Sequence, residues 1–156
     1  MSDEMAKEEA SQELFRKGLE WLKKKDPVNA VFCFEEMVKI SNRSPMSLSC
    51  LGLAMARAKV DIARAEKLCM EAVKKAPASA DFYRSLAEVY LAAGKKAKAI
   101  WALKKGLRVD GKKGSIAKEL KKFGIRKRPP IPFLSRSNPL NKYIGMAASR
   151  IKADKG

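Results

Sequence analysis

The side chains that most often carry catalysis or bind metals are sparse in this sequence. Histidine is absent, and the three cysteines (Cys33, Cys50 and Cys69) lie 17 and 19 residues apart, with no Cys-x-x-Cys spacing. Histidine is the commonest general base, and zinc sites need closely spaced Cys or His ligands. The pattern therefore favours buried, reduced thiols over a metal site or a disulfide framework, and it predicts no enzymatic activity and no cofactor.

A glycine- and lysine-containing segment resembles a phosphate-binding loop in composition only. The segment GKKGS, at residues 111–115, lacks the GxxxxGK[ST] spacing and follows a predicted helix instead of a strand. No nucleotide or other small-molecule substrate is expected.

The strongest concentration of charge lies near the C-terminal end of the sequence. The chain has a formal net charge of +17, and residues 111–156 contain 13 basic and 2 acidic side chains. Five cations form a basic patch within eight positions: Lys121, Lys122, Arg126, Lys127 and Arg128. Cations of this kind contact phosphates without reading sequence. Weak, non-specific contact with nucleic acid or an anionic membrane is therefore the alternative function that the sequence suggests.

A repeat of about 34 residues organises the rest of the chain. Gly18, Gly52 and Ala87 are 34 and 35 residues apart, and so are Trp21, Met55 and Tyr90; Ala30, Ala65 and Ala99 follow the same spacing. Two antiparallel helices approach closely only where one presents small residues to the large residues of the other. The repeat therefore predicts three helical hairpins, at residues 10–43, 44–78 and 79–112.

Local signals place the ends of these helices. Asp26 before Pro27 and Ser44 before Pro45 are N-cap residues followed by proline at the first helical position, and Ser79 is a further candidate N-cap. Gly94 supplies a residue that ends a helix. Each repeat is thus predicted to contain two helices joined by a short turn.

The order of large and small residues in these units resembles the tetratricopeptide repeat, over residues 10–112. The third unit carries Tyr83, Leu86-Ala87, Tyr90, Gly94, Ala99, Leu103 and Gly106; the second carries Leu48, Leu51-Gly52, Met55, Ala65, Cys69, Ala72 and Pro77; the first carries Leu14, Lys17-Gly18, Trp21, Ala30, Phe34 and Met37. Lys17 departs from the usual Leu and Met37 from the usual Ala. The resemblance implies an all-α fold, a right-handed α-solenoid whose first helices line an inner groove.

The same resemblance implies which residues face that groove. From the three units in turn these are Phe15, Arg16, Leu19 and Lys23; Ser49, Cys50, Leu53 and Arg57; and Asp81, Arg84, Ser85 and Glu88. This groove is amphipathic with a basic bias, which suits an apolar peptide carrying nearby acidic groups. The other interpretation is that these residues form only solvated helix faces.

One function within the family does not fit this sequence. Repeat domains that grip chaperone tails use Lys and Asn in the first unit, Asn in the second, and Lys and Arg in the third. The matching positions here are Phe15, Leu19, Cys50, Asp81 and Ser85. None of them carries the required cation or amide, and Asp81 would repel a carboxylate. A chaperone-tail clamp of that kind is not expected.

Beyond the repeats the sequence predicts a cap and a tail. Residues 113–124 read as a capping helix with Ile116, Leu120 and Phe123 on one face, because a solenoid needs its end covered. Residues 125–137 read as an extended, proline-rich linker and residues 138–156 as a basic amphipathic helix. That helix could dock on the repeats, bind another protein or lie on an anionic membrane. The tail PFLSRSNPLNKYIG is similar to tails of bacterial repeat proteins.

Taken together, these features predict a non-enzymatic adaptor that binds a peptide or helix of a partner protein in the groove. The basic tail would add a second contact or cover the groove. Residues 1–9 are an acidic and polar lead, unlike a secretory signal, and no stretch approaches the ~18 apolar residues of a membrane span. A cytosolic location is therefore expected.

Overall fold

The computed structural model describes residues 2–111 and 115–123, and this part of the chain contains helices and no strand. Its helices are α1 (Ser2–Lys23), α2 (Pro27–Ile40), α3 (Pro45–Ala58), α4 (Ile62–Lys75), α5 (Ala80–Ala92), α6 (Lys96–Asp110) and α7 (Ser115–Lys122). Helices α1–α2, α3–α4 and α5–α6 pack as hairpins, and α7 packs on α6. The predicted all-α solenoid is confirmed. None of these described helices is long and apolar enough to cross a membrane.

The interior of each hairpin has the predicted alternation of large and small residues. Ala30, Ala65 and Ala99 are fully buried. A Cβ atom added at Gly52 would lie 2.5 Å from the Cys69 Sγ and 2.9 Å from the carbonyl oxygen of Ala65, both closer than real Cβ contacts. Helices α3 and α4 therefore reach their observed separation only because this position has no side chain.

Two of the three predicted N-caps form the expected hydrogen bonds. The Asp26 carboxylate accepts from the backbone N–H of Asn29 at 3.2 Å, and the Ser44 hydroxyl accepts from that of Ser47 at 3.2 Å. Ser79 precedes α5 as predicted, but its side chain makes no capping hydrogen bond. The sequence reasoning missed the N-cap of α4, where the Asp61 carboxylate accepts from the N–H of Arg64 at 3.0 Å.

The two junctions between consecutive repeats differ. Repeat two meets repeat three through α3 against α5 and through α4 against α5. Repeat one meets repeat two through α2 against α3, whereas α1 makes little or no direct backbone approach to α3. The inner helices are thus packed side by side at the second junction and separated at the first.

Ion pairs also join the repeats on the surface. Arg64 Nη1 lies 2.9 Å from Glu35 Oε1, Arg43 Nη2 lies 2.6 Å from Glu71 Oε2, and Lys95 Nζ lies 2.6 Å from Glu66 Oε2. The Arg43 guanidinium, by hydrogen bonding, holds the pKa of Glu71 below its usual value. Exposed pairs of this kind contribute little to stability because water screens them, so they adjust the stacking of repeats that burial has already fixed.

Lys17, the departure from the family pattern in the first repeat, has a structural explanation. The equivalent residues of the second and third repeats, Leu51 and Leu86, are buried. Lys17 is exposed and its ammonium lies 3.4 Å from Glu13 Oε1. In the second and third repeats a helix of the preceding repeat packs on this inner helix, whereas among the described residues no helix precedes α1, and a charged side chain at position 17 is stable in contact with water.

Candidate functional site

The residues predicted to line the groove all lie on α1, α3 and α5, the first helix of each hairpin. Their exposure varies. Arg16, Leu19, Lys23, Arg57 and Asp81 are exposed; Phe15, Cys50, Leu53, Arg84, Ser85 and Glu88 are half-buried; Ser49 is buried. Because only 3% of Ser49 is exposed, its side chain adds little surface that a ligand could touch.

The structure brings two of these predicted residues together across neighbouring repeats. The Arg57 Nε of α3 donates to Glu88 Oε1 of α5 at 2.7 Å, and Arg57 Nη2 donates to Glu88 Oε2 at 3.1 Å. This two-pronged hydrogen bond to Glu88 raises the pKa of the Arg57 guanidinium above its usual value. Arg57, which the sequence analysis expected to attract an acidic ligand, is therefore already paired with Glu88 of the same surface.

Other charged groups of these helices are also paired locally. Arg84 Nη2 lies 3.1 Å from Asp81 Oδ1 on α5. On α1, Arg16 Nη2 lies 2.8 Å from Glu13 Oε1 and Nη1 lies 2.6 Å from Glu20 Oε1. The predicted basic bias of the groove is thus reduced, since each of these arginines has an acidic neighbour. The exposed Lys23, which forms no ion pair within the described residues, and the apolar side chains between the pairs remain to make new contacts.

A second feature lies where α1 and α3 are separated. A cavity of about 480 Å³ opens between the first half of α1, the end of α2 and the start of α3. We call it the α1–α3 cleft; its lining residues are Glu4, Lys7, Glu8, Ser11, Gln12, Phe15, Met37, Ile40, Ser41, Ser44 and Met46. Of the residues predicted for the groove, only Phe15 belongs to it.

Sequence reasoning missed most of this cleft because it treated residues 1–9 as a lead outside the repeats. In the structure α1 runs without interruption from Ser2 to Lys23 and has 22 residues, against 14 in α3 and 13 in α5. The available signal was the acidic, alanine-containing segment DEMAKEEA, which has high helix propensity and continues directly into the first repeat.

The cysteines lie inside the stack. Cys33, Cys50 and Cys69 are free thiols, and Cys69 is buried while the other two are half-buried. Burial raises the pKa of the Cys50 and Cys69 thiols to about 12 each. Among the described residues, no group of three or more His, Cys, Asp or Glu side chains could hold a metal ion. The Cys69 thiol acts as a small apolar packing group next to Gly52.

The predicted basic patch is described only in part. Lys121 and Lys122 form the exposed last turn of α7, while Arg126, Lys127 and Arg128 lie outside the described residues. The same holds for the predicted linker at 125–137 and for the predicted helix at 138–156. The buried side of α7 consists of Ile116 and Leu120, and Ile116 faces Gly106 of α6.

Comparison with known proteins identifies relatives by structure. No protein-family model and no curated protein matches the chain. The first TPR domain of human RPAP3 is 21% identical, with a TM-score of 0.64, covering 73% of this chain and 89% of that domain. The TPR2B domain in the pHsp70 complex of yeast Sti1 is 26% identical, with a TM-score of 0.63, covering 72% and 91%. The first TPR of Spaghetti (RPAP3), bound to the HSP90 peptide SRMEEVD, is 21% identical, with a TM-score of 0.63, covering 74% and 91%.

Proposed function

We propose that this chain, a tetratricopeptide-repeat protein, is a non-enzymatic adaptor that holds a peptide or helix of a partner protein against α1, α3 and α5. The similar domain of Spaghetti is bound to a peptide, and the similar domain of yeast Sti1 is in a pHsp70 complex. Both are similar to this chain over most of their own length. Their peptide-binding use of the shared fold supports a protein partner for this chain, whose identity is not implied by theirs.

The observation that carries the proposal is that apolar side chains stay accessible between ion pairs on the inner helices. Leu19 is 37% exposed, and Phe15 and Leu53 are half-buried. The neighbouring charges, such as Arg57 and Glu88, satisfy each other. A partner can therefore bury apolar surface beside Leu53 without removing the charges of Arg57 and Glu88 from each other, whereas the exposed Lys23 ammonium, one turn from Leu19, has to stay in contact with water.

The partner we propose differs from an acidic chaperone tail. At the positions where clamp domains of this family hold a terminal carboxylate, this chain has Phe15, Leu19, Cys50, Asp81 and Ser85. The Cys50 thiol is neutral because burial raises its pKa to about 12, and Asp81 is an exposed acidic residue whose carboxylate lies 3.1 Å from Arg84 Nη2 on the same helix. These groups favour an apolar ligand over a carboxylate.

A random-peptide display library selected on the full chain tests the proposal. Peptides that bind the wild-type chain are measured again by fluorescence anisotropy against a Leu19→Asp/Leu53→Asp variant. We expect about tenfold or greater loss of affinity, since each substitution places a charge in the apolar strip. The matched control is Trp101→Asp, which changes an exposed apolar residue of α6, outside the inner helices.

The control decides where binding occurs. Peptides that lose affinity with Trp101→Asp and keep it with Leu19→Asp/Leu53→Asp would place the binding surface on the outer helices and contradict the proposal. Circular dichroism of each variant confirms that the helical content is unchanged before affinities are compared.

A further inference from the structure

The α1–α3 cleft exists because the first repeat lacks a contact that the later repeats make. Helix α3 packs against α5, but α1 makes little or no direct backbone approach to α3. The resulting gap leaves Met46 46% exposed and Phe15 and Ile40 half-buried. Its volume of about 480 Å³ falls within the ~300–1,000 Å³ that is usual for ligand sites.

The rim of this cleft carries charged side chains that form no ion pair within the described residues. Glu4 and Glu8 lie one turn apart on α1, and within the described residues neither forms an ion pair; Glu8 only accepts a hydrogen bond from Gln12 Nε2 at 3.2 Å. Lys7 also lines the cleft and is likewise unpaired. Two carboxylates against one ammonium make the cleft a locally acidic place on a chain of net charge +17.

The rest of the inner surface behaves differently. Its carboxylates are matched by arginines, as in the Arg57–Glu88 pair between α3 and α5 and the Arg84–Asp81 pair on α5. A ligand cation placed there would have to compete with an arginine already in contact. In the cleft it would meet carboxylates without a cationic partner, next to the apolar side chains of Phe15 and Met46.

We propose that the α1–α3 cleft is an anchor site for a segment of a partner protein that carries an apolar side chain next to a lysine or arginine. The apolar side chain packs on Phe15, Ile40 and Met46, and the cation lies between Glu4 and Glu8. This inference rests on the proposed peptide-binding function and names the chemistry of one end of the ligand. It reverses the ligand charge expected from sequence, which was acidic.

Defined peptides and an isotope-labelled full chain test this assignment. The probe is acetyl-Gly-Ser-Leu-Arg-Ser-Gly-amide, compared with forms in which Glu replaces the Arg or Ser replaces the Leu. Amide shifts in the chain's NMR spectrum report both site and affinity. We expect the Leu-Arg peptide to shift the amides of Ser41 and Met46, and both altered peptides to bind more weakly.

Variants of the chain identify the groups that select the cation. The Glu4→Gln/Glu8→Gln variant is expected to bind the Leu-Arg peptide with about three- to tenfold lower affinity than the wild-type chain. High salt should remove this difference in affinity. The matched control is Asp3→Asn/Glu9→Gln, which changes two exposed carboxylates of the same helix that do not line the cleft. It removes the same charge and should leave affinity nearly unchanged. Met46→Ser should lower the affinity for both peptides and leave the ratio of the Leu-Arg affinity to the Leu-Glu affinity unchanged.

The outcomes separate this inference from the proposed function. Equal binding of the Leu-Arg and Leu-Glu peptides, or equal effects of the two carboxylate variants, would overturn the assignment of the cation site. Shifts confined to Leu53 and Arg57 would overturn the cleft while leaving the groove as the binding surface. Cleft amides that shift with protein concentration alone would mean that a second copy of the chain is the occupant. If the cleft binds the Leu-Arg peptide but the display library yields no peptide that depends on Leu19 and Leu53, the assignment of the binding surface to the groove fails and the assignment of the cleft remains.

Discussion

The buried faces of the hairpins and the exposed face of the inner helices α1, α3 and α5 are specified in different ways. Inside the hairpins each position is fixed by shape: Gly52 has no room for a Cβ beside Cys69, and Ala99 is fully buried. On the exposed face of the inner helices, a charged side chain pairs with whichever opposite charge the neighbouring helix brings close, as Arg57 pairs with Glu88. The size of a buried residue is given by its type, whereas the ion-pair partner of an exposed charge depends on how neighbouring repeats pack.

This difference implies a ranking of free energies. Removing packed volume from the interior should cost several kcal/mol, because the surrounding helices cannot close the cavity. Removing an exposed ion pair should cost a fraction of that, because water replaces the lost partner. Single substitutions measured on one chain can break or sharpen this contrast.

The largest effect is expected at Phe34 of α2. Its side chain is fully buried against Gly18, where an added Cβ atom would overlap the phenyl ring. Phe34→Ala should lower the free energy of unfolding by about 3–5 kcal/mol. The measurement is urea unfolding followed by circular dichroism. Phe32→Ala, two residues away on the same helix, is the control; Phe32 is 62% exposed, so its loss should matter little. Similar losses for both variants would contradict the packing described for α2.

A smaller effect tests overpacking in the third hairpin. Ala99 of α6 is fully buried and Ala97, two residues before it, is exposed. Ala99→Val should lower the free energy of unfolding by about 1–3 kcal/mol, because the added methyl groups meet packed side chains. Ala97→Val carries the same small helix-propensity penalty without the steric one. The difference between the two variants in urea unfolding measures the steric contribution alone.

The N-caps of the inner helices give a test near 1 kcal/mol. The Ser44 hydroxyl accepts from the backbone N–H of Ser47, whereas Ser79 makes no such hydrogen bond at the start of α5. Ser44→Ala should therefore lower the free energy of unfolding by about 0.5–2 kcal/mol. Ser79→Ala should change it by a few tenths at most. Thermal unfolding of the two variants measures both changes. Equal losses of stability for Ser44→Ala and Ser79→Ala would contradict this prediction.

The packing of the interior could be predicted from the sequence more fully than the contacts of the surface, and the reason is physical. Ala30, Ala65 and Ala99 are small because helices touch there, so their spacing alone predicted three hairpins. Arg57 and Glu88 are 31 residues apart in the sequence, and they pair because α3 and α5 lie side by side. The residues near either position do not indicate which opposite charge will be within reach. The cleft beside Met46 arises from a contact that α1 and α3 do not make, which residue types cannot signal.

The smallest expected effect concerns the Arg57–Glu88 ion pair between the inner helices α3 and α5. Both side chains of the Arg57–Glu88 pair are about two-fifths exposed, at 42% and 41%. A double-mutant cycle with Arg57→Ala and Glu88→Ala should therefore give a coupling of about 0.2–1 kcal/mol, decreasing as salt is added. Urea unfolding at low and high salt measures it. A coupling above about 2 kcal/mol that does not respond to salt would mean that the pair is shielded from water and contributes to stability like the interior. A small, salt-sensitive value would mean that water screens the pair as it screens the other exposed ion pairs, so that the pair contributes far less to stability than the packed interior does.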